Sequence, residues 1–169
     1  SNVAIGVNAL YTNTTGQYQT AVGRGALYTS NADKNTAVGY QALEDNTGTD
    51  NTAVGYLAAN KNTSGLNNTA MGDRALRDNT TGNGNAAFGR YALRDNNTNN
   101  NAAFGYLSFQ ATTGNDNTGC GYLSGGQQTT GHGNTFVGNA AGYTTTTGSN
   151  CSASVSYTHL RAHETREGL

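Results

Sequence analysis

Residues 51–65 read NTAVGYLAANKNTSG, and residues 35–43 begin the same way with NTAVGYQAL. The glycine of this run recurs every 16 or 17 residues, so nine copies of one unit follow one another along the chain. These anchor glycines are Gly6, Gly23, Gly39, Gly55, Gly72, Gly89, Gly105, Gly121 and Gly138. A fixed short period of this kind predicts a repeat architecture in which each unit packs on its neighbours.

A second glycine recurs between the anchors, and we call it the turn glycine. Its positions are Gly16, Gly48, Gly65, Gly82, Gly114, Gly131 and Gly148. Each turn glycine that precedes an anchor glycine lies seven residues before it, so the one-residue variation in period falls in the other part of the unit. This pattern indicates a strand of fixed length followed by a surface loop that tolerates an insertion.

The composition excludes several classes of protein. Gly, Asn and Thr make up 74 of the 169 residues, charged residues are 11%, and the net charge is −1. We therefore expect no nucleic-acid partner, because such partners require a basic surface. No apolar run approaches the roughly 20 residues that a membrane span requires. Two glycines and several Asn and Thr per unit also disfavour a helix.

The columns of the repeat predict an all-β solenoid with nine coils, in which residues at equivalent positions stack about 4.8 Å apart. We expect residues 1–153 to form this domain, with short strands and with Gly and Asn at the corners. The residue before the anchor glycine is always apolar and is assigned to the core, as is a leucine four residues after it. These core predictions are Val22, Val38, Val54, Met71, Phe88, Phe104 and Val137, with Leu27, Leu43, Leu76 and Leu93.

Strand alternation then assigns the other columns. An alanine precedes the apolar column, as in Ala37 and Ala53, and we expect it to face outward and to permit close approach of another surface. A threonine precedes the alanine, as in Thr36 and Thr52, and is expected to face inward with the valine. An Asn four residues before the anchor glycine is expected to form a ladder of amides.

The unit NTAVGYQAL…NTTG, nearly complete at 35–43 and 51–65, resembles the head repeats of trimeric autotransporter adhesins. It is also similar to repeats upstream of the chaperone domain in phage tail fibres and tail spikes. The resemblance covers about residues 1–153 and implies a left-handed parallel β-roll. It also implies a homotrimer and an extracellular location, on a virion tail fibre or on the bacterial outer surface. The unit here is longer than the common adhesin-head unit.

Residues 154–169 depart from the repeat. They are rich in charged residues and histidine, and we expect them to be disordered or loosely helical. One interpretation is a polar capping segment, which solenoids need. The alternative is that SVSYTHLRAHET resembles the translated sequencing-adapter tail at the ends of some metagenome-derived reading frames, and we therefore exclude it from the fold.

The repeats carry no pattern of catalytic residues. Titratable groups are sparse and Asp45, Asp78 and Asp95 are interpreted as solvated loop charges, so the sequence predicts no enzyme, no cofactor and no metal site. Cys120 and Cys151 lie two coils apart, roughly 9.6 Å, which is too far for a disulfide. Cys120 is expected to be a small buried hydrophobe.

Four tyrosines follow anchor glycines and form the most site-like column: Tyr40, Tyr56, Tyr106 and Tyr122. Such a column could bind a glycan or another surface through ring faces and hydroxyls. The alternative is that the rings pack between chains or cover the edge of the sheet.

Three functions remain open from the sequence. The first is a structural and adhesive rod of a fibrous surface protein, with a host glycan or protein as its partner. The second is an ice- or lattice-binding solenoid that uses the column Thr20, Thr36, Thr52, Thr69, Thr118 and Thr135, although an inward direction and interruptions weaken it. The third is a glycan-degrading tail-spike enzyme, for which a carboxylate pair is missing.

Overall fold

The computed structural model describes residues 1–127 and 130–154, and the described residues are all-β. One parallel sheet contains ten strands of three residues each, in chain order, so that the chain forms a β-solenoid of about nine turns. The strands are β1 Val3–Ile5, β2 Thr20–Val22, β3 Thr36–Val38, β4 Thr52–Val54, β5 Thr69–Met71, β6 Ala86–Phe88, β7 Ala102–Phe104, β8 Thr118–Cys120, β9 Thr135–Val137 and β10 Ser152–Ser154.

The register of the sheet follows the sequence repeat residue by residue. Val22 pairs with Val38, and Val38 pairs with Val54, so the predicted stacking of these positions is confirmed. Ser154, which the sequence assigned to the tail, lies in β10 and pairs with Val137. The rest of the predicted tail, residues 155–169, lies outside the described residues. No helix in the described part of the chain is long and apolar enough to span a bilayer.

The two faces of the sheet are reversed relative to the prediction. The alanine column is the core, with Ala21, Ala37 and Ala53 fully buried. The column assigned to the core points outward, and Cys120, expected to be buried, is exposed with it. The seven corrected residues are Val22, Val38, Val54 and Phe88, which are half-buried, and Met71, Phe104 and Val137, which are exposed. The predicted alternation of side chains along each strand is confirmed, but the inward and outward columns are exchanged.

The reversal has a steric cause. The roll is narrow, and opposite each alanine lies the second apolar column, whose Leu27, Leu43, Leu76 and Leu93 are fully buried as predicted. Alanine from the sheet and leucine from the opposite wall together fill the interior. A valine on the inner side of every strand would add volume to a space that is already packed, and overpacking destabilises a core.

Two coils show this constraint directly, because a large residue in one column is matched by glycine in the other. Phe136 occupies the alanine column and is buried, and Gly142 occupies the leucine column of the same coil. A Cβ added to Gly142 would lie 2.5 Å from Cδ1 of Phe136. Phe109 occupies the leucine column, and a Cβ at Gly119 in the alanine column would lie 2.6 Å from its Cε2. The two columns therefore share one interior.

The anchor glycine is required at the corner where the strand ends. Gly72 has a φ of +139°, and an added Cβ would lie 2.6 Å from the carbonyl oxygen of Gly89 in the next coil. Leucines such as Leu27 and Leu76 adopt the left-handed conformation at the next corner, with φ of 51° and 52°. Burial of these leucines offsets the strain that a non-glycine residue carries there.

Two columns of buried amides hold the coils together on the side opposite these corners. In the first, the backbone N–H of Asn51 donates to Oδ1 of Asn35 at 2.9 Å, and that of Asn68 donates to Oδ1 of Asn51 at 2.9 Å. In the second, Nδ2 of Asn62 donates to Oδ1 of Asn46 at 2.7 Å. The expected Asn ladder is confirmed, and a second one runs beside it.

The ladders are interrupted in the coil that contains β2. Gln19 replaces Asn in the first column and Ser30 replaces Asn in the second, and both side chains are buried. Among the described residues, the amide nitrogen and oxygen of Gln19 and the hydroxyl of Ser30 have no hydrogen-bond partner. Buried polar groups without partners reduce stability, so this coil is a weak point of the rod.

Candidate functional site

Two outer surfaces carry the side chains that can meet a partner. The outer sheet face consists of the first and third residues of strands β1–β10. The arginine–tyrosine band consists of Arg24, Tyr40, Tyr56, Arg74, Arg90, Tyr91, Tyr106 and Tyr122, which lie one or two residues after an anchor glycine.

The outer sheet face carries threonine and apolar side chains and no charge. Thr36 and Val38 flank the buried Ala37 and are half-buried, and the same pattern repeats in the neighbouring strands. No residue of the ten strands is charged. Toward the middle of the face the rings of Phe88 and Phe104 stack with centroids 5.0 Å apart. Ten strands at about 4.8 Å spacing and three residues of width make roughly 400 Å² of surface.

The threonine column lies on this face rather than in the interior. Thr20, Thr36, Thr52 and Thr69 are half-buried and Thr118 and Thr135 are exposed, on the same side of the sheet as the valines. The expectation that threonine points inward is therefore wrong for the same reason as the valine assignment. Ala86 and Ala102 interrupt the column, as the sequence indicated.

In the arginine–tyrosine band, rings and guanidinium groups stack along the rod. Tyr40 and Tyr56 stack with centroids 5.3 Å apart, and Tyr106 and Tyr122 with centroids 5.6 Å apart. The guanidinium of Arg74 lies over Tyr56 at 4.9 Å, and that of Arg24 over Tyr40 at 5.8 Å. Equivalent residues are one strand spacing apart, so their side chains stack on one another.

This stacking limits contact between a glycan and the ring faces at three of the four predicted tyrosines. A sugar between two rings needs two contacts of 3.5–4 Å, hence ring centroids separated by roughly 7 Å or more. The rings of Tyr40, Tyr56 and Tyr106 are covered on both sides by neighbouring rings or guanidinium groups. What these tyrosines present to solvent is ring edges and hydroxyls, and each of the four predicted tyrosines is at least 37% exposed.

Tyr91 lies at the centre of the band and was missed by the sequence analysis. Its hydroxyl accepts hydrogen bonds from Nη1 of Arg74 at 3.1 Å and from Nη2 of Arg90 at 3.3 Å. Asp73 bridges the same two arginines, with Nη1 of Arg74 and Nε of Arg90 each 3.0 Å from its carboxylate. The sequence signal was present, because Arg and Tyr alternate between two adjacent columns in neighbouring coils.

A second set of charges lies beside the band. Arg77 pairs with Asp78, and Arg94 pairs with Asp95 at 2.5 Å. Lys61 also lies 2.9 Å from Asp78. Burial opposes ionisation of Asp78, but hydrogen bonds from Arg77 and Lys61 outweigh this and lower its pKa from 3.8 to about 2. Hydrogen bonds to carboxylates likewise raise the pKa of Arg77 and Arg94.

Other chemically reactive groups do not assemble into a site. Cys120 and Cys151 are both free thiols. Within residues 1–127 and 130–154, no group of three or more His, Cys, Asp or Glu residues could hold a metal ion. Searches against models of protein families, curated proteins and solved structures give no match to this chain.

Proposed function

We propose that the protein is a structural and adhesive rod of a fibrous surface protein, located on a virion tail fibre or on the bacterial outer surface. The observation that supports this most strongly is the single ten-stranded parallel sheet, which builds a long stack in which each coil contacts its neighbours. Such a stack acts as a rigid spacer and offers an extended surface for binding. The proposed partner is a glycan or protein on the surface to which the fibre attaches.

We further propose that the rod assembles as a homotrimer, with the outer sheet face covered by two further copies. Interface cores are depleted of charge, and this face carries none although the chain has 19 charged residues. Its apolar residues include Met71 and Phe104, which are 41% and 42% exposed in the single chain. The face expected from the sequence, lined by the alanine column, is the interior of the roll and cannot serve.

Parallel association in register follows from three-fold symmetry, because rotation about one axis leaves all three chains running in the same direction. The outward side chains grow from valine in β2–β4 to phenylalanine in β6 and β7 and shrink again in β8 and β9. When copies pack around a common axis in the same direction, each layer meets the same residue, and Phe88 meets Phe88. Antiparallel packing would instead place Phe88 against β5 and Phe104 against β4, an arrangement that three-fold symmetry excludes.

The area of the outer sheet face limits how strongly the copies can associate. A stable interface buries about 800 Å² on each partner, and the outer sheet face provides roughly 400 Å². The face of nine coils is therefore smaller than a standard interface, and we expect association to strengthen as further coils add area.

Sedimentation equilibrium at tens of micromolar tests the assembly. We expect the wild type to show the trimer mass and Val38→Glu/Val54→Glu to be monomeric with an unchanged circular dichroism spectrum. The matched control Thr47→Glu/Thr63→Glu adds the same charge at exposed loop positions and should remain trimeric. A monomeric wild type at these concentrations contradicts the trimer.

Adhesion is tested separately. Fluorescently labelled protein should be retained on immobilised bacterial cells, and treatment of the cells with protease or with periodate identifies a protein or a glycan as the receptor. Retention no greater than that of albumin on every surface contradicts the adhesive function and leaves a structural rod.

The outward threonine column favours a second function, an ice- or lattice-binding solenoid. Thr20, Thr36 and Thr52 form a row on a flat sheet with a spacing of about 4.8 Å. Phe88 and Phe104 break the flatness of the same face, which favours association of copies. Thermal hysteresis distinguishes the two: it should be lost in Thr36→Lys if the threonines bind ice, and be absent in the wild type if the face is an interface.

A further inference from the structure

The centre of the arginine–tyrosine band and the charges beside it combine an excess of positive charge with a tyrosine hydroxyl proton that no described residue accepts. Both features lie on the outer surface of the coils that contain β4–β6.

Cations cluster in the coils that contain β4–β6. Five of them lie there with three carboxylates, an excess of two positive charges, whereas the whole chain carries −1. The cations are Lys61, Arg74, Arg77, Arg90 and Arg94, and the carboxylates are Asp73, Asp78 and Asp95. Because Arg74 and Arg90 share the single carboxylate of Asp73, this pair of arginines is only half neutralised.

The hydroxyl of Tyr91 adds a directed donor. A tyrosine hydroxyl has two acceptor lone pairs and one proton to donate. Arg74 and Arg90 use the acceptor side, and no residue in the described part of the chain accepts the proton. Two guanidinium groups that donate to the oxygen make the proton a stronger donor. An oxyanion outside the protein would accept this proton while lying beside both guanidinium groups.

The surroundings define the rest of the ligand. Guanidinium groups of Arg90 and Arg94 lie over the ring of Tyr91, at 4.7 and 5.5 Å, so the ring face is not free for an apolar group. On both sides along the rod, Tyr56 and Tyr106 present ring edges and hydroxyls, which suit the hydroxyl groups of sugars. The place where these donors meet is thus the centre of a longer polar strip parallel to the rod axis.

We propose that this strip binds an anionic polysaccharide, with a carboxylate or sulfate of the chain on Arg74, Arg90 and the Tyr91 hydroxyl and with neighbouring sugars on Tyr56 and Tyr106. The inference rests on the proposed adhesive function and names the class of glycan involved. Arginine donates in a planar fork that matches carboxylate and sulfate oxygens. The shared chemistry is an oxyanion on a sugar.

Surface plasmon resonance tests the proposal with three immobilised probes: polygalacturonate, which carries carboxylates, heparin, which carries sulfates as well, and dextran, which is neutral. We expect binding to one or both anionic polymers that weakens steeply as salt is added, and no binding to dextran. Preference for polygalacturonate or heparin separates carboxylate from sulfate as the recognised group.

Two variants with a matched control separate the strip from general electrostatics. Arg90→Gln should weaken binding at least tenfold, and Tyr91→Phe should weaken it severalfold without changing charge. Lys34→Gln removes the same charge from a similarly exposed side chain outside the band, and should change binding less than twofold. Equal losses in Arg90→Gln and Lys34→Gln overturn the proposal, as does binding to dextran or to none of the polymers.

The adhesive rod and its assembly are tested separately from the anionic strip. Arg90→Gln lies outside the outer sheet face, so its mass in sedimentation should equal that of the wild type. If the protein is retained on cells but Arg90→Gln is retained equally well, the anionic strip is wrong while the adhesive rod stands. If neither is retained, adhesion itself is wrong.

Discussion

The exchange of volume between Phe136 and Gly142 gives a quantitative test of the shared core. Phe136→Ala removes a buried ring and leaves a cavity, which costs about 3 kcal/mol or more. Gly142→Leu forces a side chain against Phe136, where a Cβ alone would lie 2.5 Å from the ring, and overpacking of this kind costs about 2 kcal/mol. The double variant restores the alanine–leucine pair of most other coils, and its stability should return to within about 1 kcal/mol of the wild type.

The assay is thermal and urea unfolding of the four proteins, with amide hydrogen exchange to locate the change in the coils of β8 and β9. The single losses add up to about 5 kcal/mol, so a double variant that loses at most about 1 kcal/mol implies a coupling of about 4 kcal/mol, larger than most measured pairwise couplings. If Phe136 pointed outward, Phe136→Ala would be nearly silent and the two changes would add. Additive effects would therefore refute the assignment of the alanine column to the interior.

Three further predictions concern the amide ladders, the anchor glycine at the corner and the loss of stability at low pH. Gln19→Asn with Ser30→Asn should complete both amide ladders and raise stability by about 2 kcal/mol, as seen in the unfolding midpoint; no gain over wild type would show that the unpartnered groups cost nothing. Gly72→Ala should lower stability by about 3 kcal/mol, whereas Gly25→Asn, in a column that carries Asn8 and Gln41 at positive φ, should be tolerated; equal melting of the two would exclude the corner clash. Because the pKa of Asp78 is lowered from 3.8 to about 2 in the folded protein, its ion pair contributes stability above pH 3.8 that is lost as the pH falls toward about 2. Asp78→Asn should therefore lose about 1 kcal/mol of stability at pH 7, allowing for partial exposure of the pair, and should match the wild type at pH 2. A constant difference in stability across this pH range would contradict the ion pair.

The sequence repeat was sufficient to predict the solenoid, its period and its register. Anchor glycines at 16 or 17 residues place Val22, Val38 and Val54 in one column, and the structure pairs them. The Asn ladder also followed from the column alone, because a buried amide can satisfy its neighbours in the adjacent coils. These features depend on spacing, which a repeat displays directly.

The hydrophobicity of a column did not predict whether its side chains point into the roll or outward. Valine is more apolar than alanine and was assigned to the core, but the roll has room only for alanine opposite leucine. The informative signal was the paired exception: Gly119 and Phe136 depart from the alanine column where Phe109 and Gly142 depart from the leucine column. Compensating changes of this kind occur between residues that share a core.

The candidate site was predicted in part. The tyrosine column was visible, but the role of Tyr91 and Arg74 was not, because they lie in the neighbouring column and meet the tyrosines only through the stacking of coils. The covered ring faces likewise follow from the strand spacing, which brings equivalent rings within 6 Å of one another.

Cross-linking at Cys120 tests the central claim, that the outer sheet face is buried between copies in parallel register. Cys120 is an exposed thiol in β8, on the face that the trimer would cover. In a Cys151→Ser background, a short bis-maleimide should join two chains through Cys120 at micromolar protein, and Val38→Glu/Val54→Glu should abolish the product. A Cys120 thiol that reacts freely in the wild type and yields only monomer would contradict the account.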